Sequence, residues 1–159
     1  MDPKAIYDYF VDTVTKHYFD MNGRVARSDF WYFVLACFVL HVIAAIVGHI
    51  LFLVPLNALL SLALLLPSAG MGARRLQDTG RNGVLVWALL IPALIANLLG
   101  LMLWGPFGIL GLLAFGWLLG LIGLIELVAG IALIYFWVQP GTPGDNAYGP
   151  PPARVVPVA

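Results

Sequence analysis

Polar and apolar positions alternate along this chain in long blocks rather than at the period of a soluble helix or strand. Phe30 to Val54 holds no Asp, Glu, Lys or Arg over 25 residues, enough at about 1.5 Å per residue to cross a hydrocarbon core of about 30 Å as a helix. Pro55 cannot continue the hydrogen-bond ladder, so Leu56 to Ala73 reads as a second span returning through a tight turn. Within it Pro67, Ser68, Ala69, Gly70 and Gly72 predict a bend or a close approach by a neighbour. Val84 to Leu103 gives a third span, which Trp104-Gly105-Pro106 breaks. Phe107 to Val138 would be about 48 Å long as one helix, more than a bilayer accepts without steep tilt or an overhang. A fourth span from Trp117 to Trp137, with tryptophan at both interfaces and Phe107 to Gly116 in the outer interface or as an extra turn, is the expected solution.

The segments outside this region differ in kind. From Asp2-Pro3 onward, Lys4, Asp8, Asp12 and Lys16 form an i,i+4 row opposite Ile6, Tyr7, Phe10, Val11, Val14, His17 and Tyr18, which predicts an amphipathic helix. Four aspartates against two lysines in residues 1 to 20 make its attraction to anionic lipid weak, so packing on the protein or insertion of its aromatics should hold it. The tail from Gln139 to Ala159 has six prolines and reads as extended beyond Gly149. The chain therefore divides into 1–29, an amphipathic helix and linker; 30–138, four transmembrane helices; and 139–159, a proline-rich tail. The fold class is an all-α membrane protein.

Composition agrees: 62% hydrophobic and 10% charged residues with a mean hydropathy of +0.95 exclude an ordinary soluble domain. Residues 1 to 29 carry nine charged side chains, unlike a cleavable secretory signal, so the first span is expected to act as the targeting signal. Net charge is zero, which gives nucleic-acid binding no footing, and the single Cys37 precludes an internal disulfide. Position is more informative than sum. Lys4, Lys16, Arg24 and Arg27 precede the first span, Arg74, Arg75 and Arg81 separate the second from the third, and Arg154 follows the fourth. By the positive-inside rule both termini and the middle loop face the cytoplasm.

Three strings fall on that side: Gly23-Arg-Val-Ala-Arg-Ser-Asp-Phe-Trp-Tyr-Phe33, Arg74-Arg-Leu-Gln-Asp-Thr-Gly-Arg-Asn-Gly83, and Gly141-Thr-Pro-Gly-Asp-Asn-Ala-Tyr-Gly-Pro150. Together, over roughly residues 5 to 152, they resemble the YhaH-like bacterial inner-membrane proteins, known as domain of unknown function 805. The resemblance implies a small multi-span inner-membrane protein and no assigned activity. Gln77 stands where that family usually has histidine, and Val84 where it usually has tryptophan, with Trp87 one turn on. A proton or metal role for the histidine does not carry over.

The glycines around the middle string lack the strand, glycine and lysine spacing of a nucleotide loop. A structural account explains more of it: Arg74 and Asp78 are one helical turn apart, Gly80 can take the left-handed conformation that ends a helix, and Asn82 can cap the third span. Asp29 or Ser28 can cap the first. Arg24, Arg27, Arg74, Arg75 and Arg81 converge at one depth and form a candidate face for anionic lipid headgroups or an acidic partner, arginine's planar fork suiting phosphate. Asn146 and Tyr148 are the hydrogen-bonding groups with which the tail could dock onto this face.

Inside the membrane the polar inventory is His41, His49, Asn57, Asn97 and Glu126. Glu126 costs about 3 kcal/mol at the bilayer centre and is expected to turn inward. His41 and Glu126 reach similar depths and are a candidate pair, which would make spans one and four neighbours. Cys37 and His41 share a face, but two ligands are too few for a metal site. No serine, histidine and acid gather at one surface, so no enzyme and no cofactor is expected. Gly116-xxx-Gly120 with Gly123, and Ala44-xxx-Gly48, are small-residue faces suited to close helix packing within a protomer or in a homo-oligomer. The reading is a non-enzymatic membrane module with an arginine face; the alternative is a small transporter or channel subunit using Glu126 and His41.

Overall fold

A computed structural model describes residues 3–53, 55–102 and 108–153. Helix α1 (Pro3–Thr15) is followed by a linker, α2 (Arg27–Ile50), α3 (Leu56–Asp78), a 3₁₀ turn (Gly83–Val86), α4 (Trp87–Met102) and α5 (Gly108–Val138). Four helical segments are long and apolar enough to cross a membrane. Among the described residues no strand forms; Asn146 and Gly149 make one isolated bridge.

α3 is the hub. It packs on α2, α4 and α5 and also meets α1, while α5 leans chiefly on α4. In its most apolar stretch 39% of residues are buried, against 11–17% in the other spans, because the others turn most of their surface outward. The buried apolar residues gather toward the end where α3 and α5 finish. One group is Ala69, Ala73, Leu76, Val86, Leu90 and Leu133; the other is Val25, Phe30, Phe33 and Met71, and Trp137 packs against both. We call this the motif end.

Three spans differ from expectation. α3 does not stop at Ala73 but runs through Arg74-Arg75-Leu76-Gln77-Asp78, five residues with no helix breaker and three good helix formers at their start. α5 is one helix of 31 residues, longer than the Trp117 to Trp137 span, because nothing between Gly108 and Gly116 breaks it, so the added length lies at its start while its end at Val138 stays within one residue of expectation. α2 starts at Arg27 with Ala26 as its N-cap and no side-chain cap. Asp29 lies instead in the first turn, 1% exposed, where a carboxylate favours the positive end of the helix dipole.

Pro67 lies inside α3 without ending it. A proline has no N–H for the carbonyl four residues back, here Ala63, and the Tyr18 hydroxyl donates to that oxygen at 2.6 Å. The linker thus repairs the ladder that the proline opens. It also lies close on α3: a Cβ on Gly70 would come within 2.6 Å of the Asp20 carbonyl oxygen, so the close approach requires glycine.

Candidate functional site

The C-termini of α3 and α5 finish side by side, each with carbonyls that have no partner in their own helix. Residues of all three sequence strings supply those partners. Arg75, in the last turn of α3, donates from Nε to Trp137 O at 3.0 Å and from Nη2 to Gln139 O, while Nη1 donates to Asp78 Oδ2. Arg27 reaches Val138 O at 3.3 Å. Arginine at this position answers both the hydrogen-bond need and the negative end of the α5 dipole.

The tail returns the favour to α3. Asp78 O accepts from Thr142 N at 2.8 Å and from the Thr142 hydroxyl at 3.2 Å, and Gln77 O accepts from Asn146 Nδ2 at 3.0 Å. Arg24 joins the parts. Its Nε donates to Asp78 Oδ1 at 2.9 Å, Nη2 to Thr142 O at 2.6 Å, and Nη1 to Gly144 O at 2.7 Å and Gly149 O at 3.2 Å. The side chains of Arg24, Arg75 and Asp78 are 2%, 0% and 5% exposed. Two guanidiniums on one carboxylate leave an extra positive charge in a dry place, and the ring of tail carbonyls solvates it.

Backbone geometry serves the same knot. Gly80 at φ +77° ends α3 as the sequence suggests, and a Cβ on Gly141 would run into the Asp78 carboxylate. Asn82 accepts from Val84 N at 2.9 Å and caps the 3₁₀ turn before α4. Asn146 also donates to the Thr142 hydroxyl and accepts from the Tyr148 amide, so Tyr148 enters through its backbone N–H.

The five arginines do not form one outward face. Arg24 and Arg75 turn inward, whereas Arg27 is exposed and Arg81 lies with its guanidinium 4.3 Å from the centre of the Phe136 ring. Arg74 is a third case. It does not pair with Asp78, because at i+3 and across the linker Arg75 and Arg24 hold that carboxylate. Arg74 points to a different face of α3, about 100° round from Arg75, donating to the Met71 sulfur at 3.1 Å, with Asp20 at 3.8 Å. Gln77, where the family resemblance expects histidine, donates to Met21 O at 3.0 Å and ties the linker down.

The intramembrane pair does not form. His41 Nδ1 bonds to Cys37 O at 2.8 Å and Nε2 to Ser61 Oγ at 3.1 Å, so both ring nitrogens are engaged between α2 and α3. α5 packs on α4 and α3, with α3 standing between α2 and α4, and the contacts between spans one and four lie at the motif end, where Phe30 touches Trp137 and Arg27 reaches Val138 O. Glu126 has one buried carboxylate oxygen with no partner. Of the small-residue faces, Ala44 and Gly48 are buried, but a Cβ added at Gly120 or Gly123 would meet no neighbouring helix within 4 Å.

Sequence reasoning missed Tyr18, Ser61, Thr142 and Trp137. Trp137 donates from its indole to Gly72 O at 3.1 Å. The signal for Tyr18 was the mid-span Pro67, which announces a carbonyl in need of a donor.

A family model described as Protein of unknown function (DUF805) matches residues 18–150, and the chain belongs to that family. It is 32% identical over 142 residues to the inner membrane protein YhaI of Escherichia coli (strain K12), covering 88% of this chain and 92% of that protein. It is 31% identical over 138 residues to the uncharacterized protein YiiR of the same strain, covering 86% and 88%. No solved structure matches. The matched region takes in all three strings of the knot, and the chain is an integral, multi-pass inner-membrane protein.

Proposed function

From this four-helix inner-membrane chain of the DUF805 family we propose a non-enzymatic membrane module, with both termini and the middle string in the cytoplasm. Its motif end meets the inner leaflet and holds anionic lipid headgroups. The observation that carries this reading is the division of labour among the arginines: Arg24 and Arg75 are consumed by the knot, while Arg27 and Arg81 remain at its rim. Both rim arginines lie beside span ends, where the surface potential of an anionic leaflet acts. The alternative, a small transporter or channel subunit relaying protons through His41 and Glu126, draws no support from the arrangement of those two groups.

Two measurements test it. Native mass spectrometry of protein released from phosphatidylglycerol-containing nanodiscs should show retained anionic lipid falling about fivefold for each of Arg27→Gln and Arg81→Gln, the equivalent of about 1 kcal/mol per charge. Unchanged retention would refute the headgroup reading. With Cys37 replaced, a cysteine at Thr79 should react only after the membrane is made permeable; labelling from the periplasm of intact cells would reverse the orientation.

A further inference from the structure

Beneath α1, next to the knot, lies a half-open cavity of about 180 Å³ lined by Tyr9, Asp12, Thr13, His17, Asp29 and Arg74, with Arg24 of the knot and Pro152 of the tail. Its donors are poorly used. The Tyr9 hydroxyl donates only to the Met71 sulfur at 3.7 Å, and Arg74 Nη2 donates to the same sulfur at 3.1 Å. Arg74 Nε is buried with no partner, in a side chain 13% exposed. A thioether is a weak acceptor, and the Asp20 carboxylate stands 3.8 Å from Arg74 Nη1, beyond hydrogen-bond reach, so a guanidinium and a phenol, both largely out of water, donate to one sulfur. Leaving such donors unmatched is costly unless something else supplies the acceptor.

The lining is also acidic. Asp29 is 1% exposed, and Asp12 pairs with Lys16 at 2.8 Å and stands 3.6 Å from His17 Nε2. Asp29 has interactions of its own, but an ionised carboxylate offers about four lone-pair sites. Arg24 is paired with Asp78 in the knot and Asp12 with Lys16, so Arg74 shares the lining with Asp29, and a purely anionic ligand would set its charge against Asp29. A zwitterion would not. Tyr9 and the His17 imidazole are the rings on the lining, and His17 is turned to Asp12 and Asp20, which is no cage for a quaternary ammonium, whereas a primary ammonium has N–H groups for carboxylates.

We propose that this cavity binds a phosphoethanolamine group, its phosphate oxygens accepting from Arg74 and Tyr9 and its ammonium donating to Asp29 and Asp12. The same chemistry is carried by phosphatidylethanolamine in the membrane and by soluble glycerophosphoethanolamine. The lipid source rests on the headgroup reading above; the soluble source does not. The site is distinct from the rim arginines, since neither Arg27 nor Arg81 lines it.

The test uses the full chain in two preparations. In maltoside detergent, glycerophosphoethanolamine is titrated by calorimetry, with glycerophosphocholine as the control. In nanodiscs of equal phosphatidylethanolamine, phosphatidylglycerol and phosphatidylcholine, co-purifying lipid is counted by native mass spectrometry. Arg74→Gln should weaken ethanolamine binding about ten- to hundredfold in whichever preparation shows it, the range for a lost charged hydrogen bond. Tyr9→Phe should weaken it severalfold, and Asp12→Asn should narrow the preference over phosphatidylglycerol without removing binding. Asp29→Asn should do the same more strongly; if it does not fold, Asp12→Asn carries that arm. Saturable binding in detergent supports the site with a soluble source open to it. Retention in nanodiscs alone supports it with the membrane lipid as the source. No ethanolamine preference in either preparation, or a preference that Arg74→Gln leaves intact, overturns the proposal. Loss of phosphatidylglycerol retention in the Arg27 and Arg81 variants is read separately, so either reading can fail alone.

Discussion

At the motif end of the bundle, helix ends, linker and tail are locked by charged side chains with almost no access to solvent; away from it, a Cβ added at Gly120 or Gly123 of α5 would meet nothing of a neighbouring helix within 4 Å. The contrast shows where specificity resides in a small membrane protein. Between helices in lipid there is no hydrophobic force to gain, because lipid tails are as apolar as leucine. Shape alone organises that region. At the motif end, by contrast, carbonyls of two helix termini must be satisfied, and only particular residues at particular positions can do it. The three polar strings are therefore informative to a reader of the sequence, and the oily stretches between them are nearly interchangeable.

If this contrast is right, the largest effect belongs to Asp78. Asp78→Asn keeps the shape but removes the one carboxylate that two buried guanidiniums share. A loss of about 3 to 5 kcal/mol is expected, read as a fall in unfolding midpoint in detergent together with faster proteolysis of the tail. A loss below about 1 kcal/mol would mean that the tail carbonyls suffice.

Gly141→Ala comes next, at about 1 to 3 kcal/mol, because its Cβ meets the Asp78 carboxylate. It should be suppressed in the Asp78→Ala background, where the obstruction is gone; additive losses in the double variant would place Gly141's role elsewhere.

A smaller effect is expected at high pH. Burial, helped by the negative charge of Asp29, pushes the Tyr9 phenol up to about 12. The folded state therefore holds the proton more tightly than the unfolded chain, whose tyrosine titrates near 10. That contribution is fully present below about pH 10 and is lost as pH rises toward 12, at most about 2 kcal/mol. Comparison of alkaline unfolding in the parent and in Tyr9→Phe isolates it: the variant should lose less between pH 10 and 12, and parallel curves would show that Tyr9 ionises freely. The smallest effect belongs to the other region. Gly120→Ala and Gly123→Ala should each change protomer stability by less than about 0.5 kcal/mol beyond the helix-propensity gain.

The sequence discloses the spans well, since a charge-free run of sufficient length has few other uses. It also discloses that Gly80 ends a helix, that Asn82 caps the next turn and that the tail can dock. It does not disclose which arginine turns inward. Arg74 and Arg75 are adjacent, and the hundred degrees between them on a helix decides which one meets Asp78, Gln139 and Arg24's side of the bundle. That rotation is set by Gly70 and Gly72 seating Asp20 and Trp137 against α3, contacts made across the fold. His41 was misassigned for a related reason. Ser61 raised no alarm, because its hydroxyl can donate to its own helix, as it does to Asn57 O at 2.9 Å, yet its oxygen remains free to meet His41 Nε2. The single long α5 is weighed from the sequence and set aside for a shorter span, because an apolar run gives no mark of where a helix begins within it.

The central claim is that the three strings close into one knot that clamps the tail on Asp78. Hydrogen exchange at the Thr142 amide, in nanodiscs, tests it most directly, since this N–H donates to Asp78 O at 2.8 Å at the middle of the knot. The account predicts strong protection in the parent chain, falling to that of an open tail in both Arg24→Gln and Asp78→Asn. An amide that exchanges freely in the parent, or one that stays protected in both variants, would contradict it.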